Sequence, residues 1–184
     1  MTNLRVILLV VFGAAMLWLW YPFLTQTEQS SQQEQETIAQ PDYVAIDLKQ
    51  TSFAENGQLS YQITAQRMEL YQELGFSHFE LPIFVLHNGQ HNWQLTANEA
   101  TLYENDTLIL EGNVKATNLN DNAMITEIDA DNLRLEISNR TMRSEQPVII
   151  TGPSLTITGK GLIADLNIEV IELINHTETI YDKQ

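Results

Sequence analysis

Four histidines, a scatter of carboxylates and three neighbouring arginines are the side chains in this chain that could do chemistry. His87 and His91 stand four apart, a spacing that on a helix would place two imidazoles on one face as metal ligands. Between them lies Asn88-Gly89-Gln90, a turn signal. The glutamate general base of the His-Glu-x-x-His metalloprotease pattern is missing. Surface histidines at a hairpin end are therefore the expectation. Asp106, Asp121, Asp129 and Asp131 fall mostly at turns and do not follow the calcium-loop spacing. The sequence has no G-x-S-x-G, no P-loop and no glycine-rich strand-to-helix phosphate motif. It has no cysteine for a disulfide or a thiolate metal site. Carboxylates converging for glycosidic chemistry would show only in the folded chain. The reading is recognition rather than catalysis: not an enzyme, with no catalytic residue, metal or cofactor.

Charge narrows the partners. The chain carries 9 basic and 24 acidic residues, a formal net charge of -15. That average field repels duplex nucleic acid and disfavours broad docking on an anionic membrane surface. It also serves plain solubility. Arg134, Arg140 and Arg143 lie close in sequence and are the best candidates for a local basic patch. Because lysine is scarce, acyl chains rather than phosphorylated sugars are expected to dominate any contact with an amphiphile.

The elements that would position these residues are strands. From Tyr43 onward the dominant period is two: Leu59, Tyr61 and Ile63; Trp93, Leu95 and Ala97; Val114 and Ala116; Leu133, Leu135 and Ile137 alternate with polar neighbours. Such alternation gives each strand a dry and a wet face. Leu108, Ile109 and Leu110 are apolar on both faces for a moment. Asn56-Gly57, Glu104-Asn105-Asp106, Gly112-Asn113, Asn120-Asp121-Asn122, Ser138-Asn139 and Gly152-Pro153 punctuate the runs. A helical period can be forced only through Thr96–Tyr103. A loose repeat sets LTANEATLYENDTLILEGNVKATN against IDADNLRLEISNRTMRSEQPVIITG, with Ala97 and Ala130 33 residues apart, and a weaker third copy from Ile157. Units of this size cannot bury their own apolar faces and must stack. The expected fold is all-β: a stack of hairpins in two facing sheets or a V-shaped roll. An ordinary packed core and a permanently open apolar groove are the two forms its interior could take. Exposed edge strands, the Leu/Ile/Val-rich run at 162–173 above all, could accept a strand from another chain.

The N-terminus differs in kind. From Val6 to Leu24 the sequence VILLVVFGAAMLWLWYPFL carries no charge. As a helix it would span roughly 28 Å, close to the ~30 Å hydrocarbon core of a bilayer. Arg5 precedes it and Glu28, Glu34 and Glu36 follow, which favours a cytoplasmic N-terminus. A cleaved signal peptide would need a shorter apolar core followed by a small-x-small site. Here Gly13, Ala14 and Ala15 lie inside the apolar run, and Leu17, Trp18, Leu19 and Trp20 follow. The expected organisation is a transmembrane anchor at 1–24, a flexible polar tether at 25–41 and a β-domain at 42–184.

Four stretches, TSFAENGQLSYQITAQRMELYQE at 51–73, FSHFELPIF at 76–84, NWQLTANEATLYENDTLILEGNV at 92–114 and GLIADLNIEVIELI at 161–174, resemble the LptC family of lipopolysaccharide export proteins. The resemblance extends over anchor, tether and domain. It implies a single-pass inner-membrane protein of Gram-negative bacteria whose periplasmic domain is a twisted β-jellyroll-like roll of OstA/LptA type. It implies lipopolysaccharide bound by its acyl chains inside the roll. The implied partners are an ATP-driven ABC transporter complex (LptBFG-like) at the N-terminal edge and a soluble LptA-like bridge protein at the C-terminal edge. By the same resemblance Leu48, Phe79 and Val170 are the lipid-facing positions, and Gly57 and Gly152 are glycines of turns needed for folding or assembly. The family often has a further glycine shortly after Gly161-Leu162, where this chain has Ile163-Ala164-Asp165-Leu166. A ligand-free scaffold in an envelope complex is the alternative function.

Overall fold

A computed structural model describes Phe12, Ala14, Met16 and Trp18, all helical, and residues 40–181 apart from 88, 90, 91 and 169. The rest of the expected anchor, the tether up to residue 39, and His91 lie outside the described residues. Among the described residues no helix is long and apolar enough to cross a membrane. The β-domain falls within the unit Pro41–Gln184.

The period-two alternation becomes eleven strands: β1 (Tyr43–Phe53), β2 (Leu59–Tyr71), β3 (Phe76–Glu80), β4 (Ile83–Leu86), β5 (Trp93–Thr96), β6 (Glu99–Tyr103), β7 (Thr107–Asn118), β8 (Glu127–Glu136), β9 (Thr141–Gly152), β10 (Leu155–Asp165) and β11 (Val170–Tyr181). They form one continuous sheet. β3 and β4 run together along β2, and β5 and β6 return along them, β4 beside β5 and β3 beside β6. Every pairing is antiparallel, so the path is an up-and-down meander with two of its strands broken in the middle. The expected two faces are thus halves of a single sheet. The helical alternative at Thr96–Tyr103 is not adopted. Those residues end β5, break at Ala97-Asn98 and form β6, because both halves of the segment find ladder partners in β7.

The breaks are aligned. Reading across the registers, Asp47 on β1 lies beside Gln66 on β2, then Leu81-Pro82, Ala97-Asn98, Gly112-Asn113, Asp131, Glu145-Gln146, Gly161 and Ile174. Asp47, Leu81, Gly112, Asn113 and Gly161 all have positive φ. The Leu81 N–H donates to the Asn98 carbonyl at 2.8 Å, and the Asn98 N–H to the Gly112 carbonyl at 2.9 Å, so the line is stitched by its own hydrogen bonds. Bulges bend a strand and sharpen its twist. When neighbouring strands bend at one level, the sheet folds along that line.

Phase shifts at the line keep the dry face inside. On β2 the buried positions run Tyr61, Ile63, Ala65 and then Met68; on β8 they run Ile128, Ala130 and then Leu133, Leu135. Without the extra residue, the pleat would turn one half of each strand's apolar set to solvent. Buried residues from both sides of the line, Phe79, Leu110 and Leu135 from one, Ile63, Leu95 and Ile150 from the other, belong to one core. The sequence repeat has the same origin. Ala97 sits on the line and Ala130 immediately before it, one hairpin apart.

Gly112 is the most crowded glycine on this line. Its φ is +74, and a Cβ there would lie 2.7 Å from Asn98 Nδ2. Gly112→Ala is expected to destabilise the domain by about 1–3 kcal/mol through strained φ and overpacking. Gly57→Ala has an unfavourable φ of +79 but open space around it, and should cost less. Chemical denaturation of the two variants side by side measures the difference.

Candidate functional site

The described residues bring together no reactive constellation. His78 Nδ1 lies 3.4 Å from Thr101 Oγ1, and exposed His176 places Nε2 2.8 Å from Thr179 Oγ1. Asp106 accepts from the Ser138 N–H at 2.8 Å, fixing a turn, and Asp129 pairs with Lys115 at 3.2 Å. Among the described residues no three His, Cys, Asp or Glu side chains converge on a metal position. The arginine patch divides. Exposed Arg134 and Arg143 stand directly opposite one another on β8 and β9, whereas Arg140 lies in the β8–β9 turn with φ +52.

What the fold does assemble is an apolar interior face. Its middle is filled by its own side chains: Leu95, Leu110, Ile128, Leu133, Leu135 and Met142 are each 0% exposed. Toward the two edge strands the packing thins. Ala45 and Leu48 on β1, and Ile171 and Leu173 on β11, are only partly buried while still packed against the core. Leu70, Ile125 and Ile157 are half-wet as well, so both end strands, their neighbours and the β7–β8 loop border the lining.

The candidate residues separate accordingly. Leu48 lies opposite Ala65 on β2, and Phe79 lies between Met68 on β2 and Ala100 on β6. Both are at the β1 end, Leu48 half-buried and Phe79 2% exposed. Val170 is 45% exposed at the far end and pairs with Asp165. Cross-strand partners share a face, and the inward face of β11 belongs to Ile171 and Leu173, which oppose buried Ala164 and Leu162. The signal for this was present: Glu172 shares a face with Val170 and marks it as wet. Ala45 had no such signal, because the phase shift at Asp47 hides it.

Gly57 has φ +79 in the three-residue turn Glu55-Asn56-Gly57, its N–H donating to the Ala54 carbonyl at 2.8 Å. Gly152 serves differently. Its φ is not positive, but a Cβ would collide with the Met124 carbonyl oxygen of the β7–β8 loop.

The outer face carries ion clusters. Arg67 Nη2 meets Glu69 Oε1 at 2.7 Å, and the Tyr71 hydroxyl donates to Glu69 Oε2 at 2.7 Å. The Tyr71 hydrogen bond and then the Arg67 guanidinium hold the Glu69 carboxyl below the usual glutamate range. Lys115 donates to Glu127 at 2.6 Å, and its ammonium is held above the ordinary lysine value by Glu127 and Asp129.

Residues 6–182 match the family described as lipopolysaccharide-assembly, LptC-related. The lipopolysaccharide export system protein LptC of Haemophilus influenzae is 27% identical over 201 residues, covering 98% of this chain and 95% of that protein. The protein of the same name from Escherichia coli K12 is 27% identical over 130 residues, covering 70% and 68%. Among solved structures, the crystal structure of LptH from Pseudomonas aeruginosa, titled as the LptA-homologous periplasmic component of a lipopolysaccharide transport device, superposes with a TM-score of 0.51. It is 13% identical and covers 61% of this chain and 80% of that one. At that identity the likeness establishes the fold.

Two outcomes are expected. Gly152→Ala should push the 119–126 loop away and lower the melting temperature, visible by calorimetry and as amide shifts confined to that loop. Glu69 has a depressed folded pKa, so its stabilising effect is present above the ordinary glutamate range and is lost as pH falls through the lowered value. Glu69→Gln should flatten that part of the acid limb in a stability-versus-pH series.

Proposed function

We propose, because the chain belongs to the LptC-related family of lipopolysaccharide-assembly proteins and so works in lipopolysaccharide transport, that its β-roll receives the lipid's acyl chains and hands them on. The family is described by an assembly role, and the reading requires no catalytic residue in this chain. The observation that supports the finer reading is the apolar lining, which continues from β1 to β11 and includes half-exposed side chains on both edge strands. Each methylene moved from water into such a lining gains about 0.8 kcal/mol. Lipid would enter at the β1 edge, past Ala45, Leu48 and Phe79, from an ATP-driven LptBFG-like transporter. It would leave at the β11 edge, past Ile171 and Leu173 with Val170 at the rim, to an LptA-like bridge protein. Each edge strand pairs with one neighbour only. The unpaired side of each can take a strand from a partner roll.

In this reading the 6–24 segment holds the chain in the inner membrane, with its N-terminus cytoplasmic and the β-domain periplasmic. The tether lets the roll reach the transporter. Lipid can enter the closed middle only if the two halves of the sheet part along the fold line, since the six leucine, isoleucine and methionine side chains there leave no exposed surface. The same closed middle favours the second reading, a ligand-free scaffold.

Photoreactive residues at Leu48, Phe79 and Leu173 in the full chain distinguish the two readings, in proteoliposomes holding the transporter and lipopolysaccharide. Adducts at Leu48 and Leu173, and at Phe79 only while ATP is hydrolysed, are expected of a carrier. Export that proceeds with no lipid adduct at any of the three leaves the scaffold.

A further inference from the structure

One row of the outer face sets two cations side by side. By the strand registers, Ile109 on β7 lies beside Arg134 on β8, then Arg143 on β9 and Ile163 on β10. Leu133, Leu135, Met142 and Ser144, the chain neighbours of the two arginines, are buried, so the arginines themselves point outward. Both are exposed, and the isoleucines on either side of them are half-buried. Like charges directly opposite one another repel. Among the described residues no carboxylate lies within ion-pair distance of either arginine, whereas Arg67 and Lys115 on the same face do have such partners. Arg140 lies apart: it donates to Asn167 Oδ1 at 3.3 Å and to the His87 carbonyl at 3.4 Å, and it borders a separate cavity. Next to the arginine pair the β8–β9 ladder lapses, residues 131–133 facing 144–147 without pairing. A hollow of about 470 Å3 lies there, bordered by Ile109, Arg134, Arg143 and Ser144, and also by Glu111 and Glu145.

The spacing of the row fits an extended chain laid across the strands. Neighbouring strands stand about 4.8 Å apart, so the three steps from Ile109 to Ile163 cover about 14 Å. An extended peptide advances about 3.4 Å per residue, so its side chains i, i+2 and i+4 on one face also cover about 14 Å. A carboxylate at the middle position arrives between the arginines, and apolar side chains at the outer positions arrive over the isoleucines. Each guanidinium can take one carboxylate oxygen, which turns the repulsion of the pair into attraction to a shared anion. We infer that this row docks an extended segment of a partner protein that carries one acidic residue with an apolar residue two positions to either side. Glu111, Glu145 and the net charge of -15 disfavour a run of acids or an anionic bilayer. A second copy of this chain offers the same pattern on β11 in Val170, Glu172 and Ile174, but it brings the same net charge.

Fluorescence anisotropy of the full chain in neutral-lipid nanodiscs provides the test, with a labelled, end-capped peptide of valine, threonine, glutamate, threonine and valine. The peptide should bind saturably, and more weakly as salt rises. Glutamine in place of its glutamate, or serine in place of its valines, should weaken binding at least tenfold. Arg134→Gln with Arg143→Gln should do the same, and Arg140→Gln should change nothing. Arg134→Glu with Arg143→Glu should instead bind the peptide that carries lysine for glutamate, an exchange that a misfolded variant does not make. An excess of the Arg134→Gln, Arg143→Gln chain, which keeps β11 intact, should not displace the peptide, and neither should phosphatidylglycerol vesicles. Displacement by that chain assigns the row to a second copy, and displacement by vesicles to a bilayer. Either result overturns the inference, as does absence of binding, binding indifferent to the glutamate, or failure of the charge exchange.

Discussion

A sheet of this length, with every pairing antiparallel and consecutive, would stay open and twisted if its strands were regular, with one apolar face turned to water. The aligned breaks from Asp47 to Ile174, with register shifts between β7, β8, β9 and β10, prevent this. By bending the strands at one level, they bring the two halves of the dry face together. By shifting the phase of the pleat in β2, β8 and β10, they keep both halves dry. Positive φ at Leu81 and Asn113 is the local strain this arrangement tolerates. Glycine at 112 and 161 lowers it where the backbone is most crowded, with Ile174 occupying the space a side chain on Gly161 would need.

The same folding leaves the sheet with two free edges, because a meander folded on itself is not a closed barrel. At those edges the core is thinnest. Binding of acyl chains and pairing with neighbouring rolls would therefore use the same places, the half-wet side chains of β1 and β11. A central core of dense leucine and isoleucine makes the closed state stable. In the carrier reading, the fold line shared by the strands is where the two halves would part, against the hydrogen bonds that stitch it. Stability and access are thus set by different parts of one sheet.

Charge is distributed in keeping with this division. The outer face carries compensated clusters, Arg67 with Glu69 and Lys115 with Glu127 and Asp129. Such exposed pairs contribute little to stability individually. Arg134 and Arg143 face one another across the β8–β9 ladder, an arrangement of like charges that does not stabilise it. Arg140, close to both in sequence, is carried by its turn to a separate cavity. Proximity along the chain therefore did not make a patch.

Much was legible from side-chain order. Alternation such as Leu133-Arg134-Leu135-Glu136 marks a strand with one wet face wherever it occurs. Glu104-Asn105 marks a tight turn, and both residues do take positive φ. The hairpin repeat follows from Ala97 and Ala130, and Glu172 already shows which side of β11 is wet. These are local matters, decided by pleat geometry and by which residues accept a left-handed backbone. The tertiary structure alone decided what depends on register: that the bulges share one line, that Ala45 and Leu48 are in phase with the core, that Gly152 faces the Met124 carbonyl, and that Arg140 meets His87. Register is a relation between distant strands, settled by the core they jointly exclude from water, and no single strand's sequence contains it.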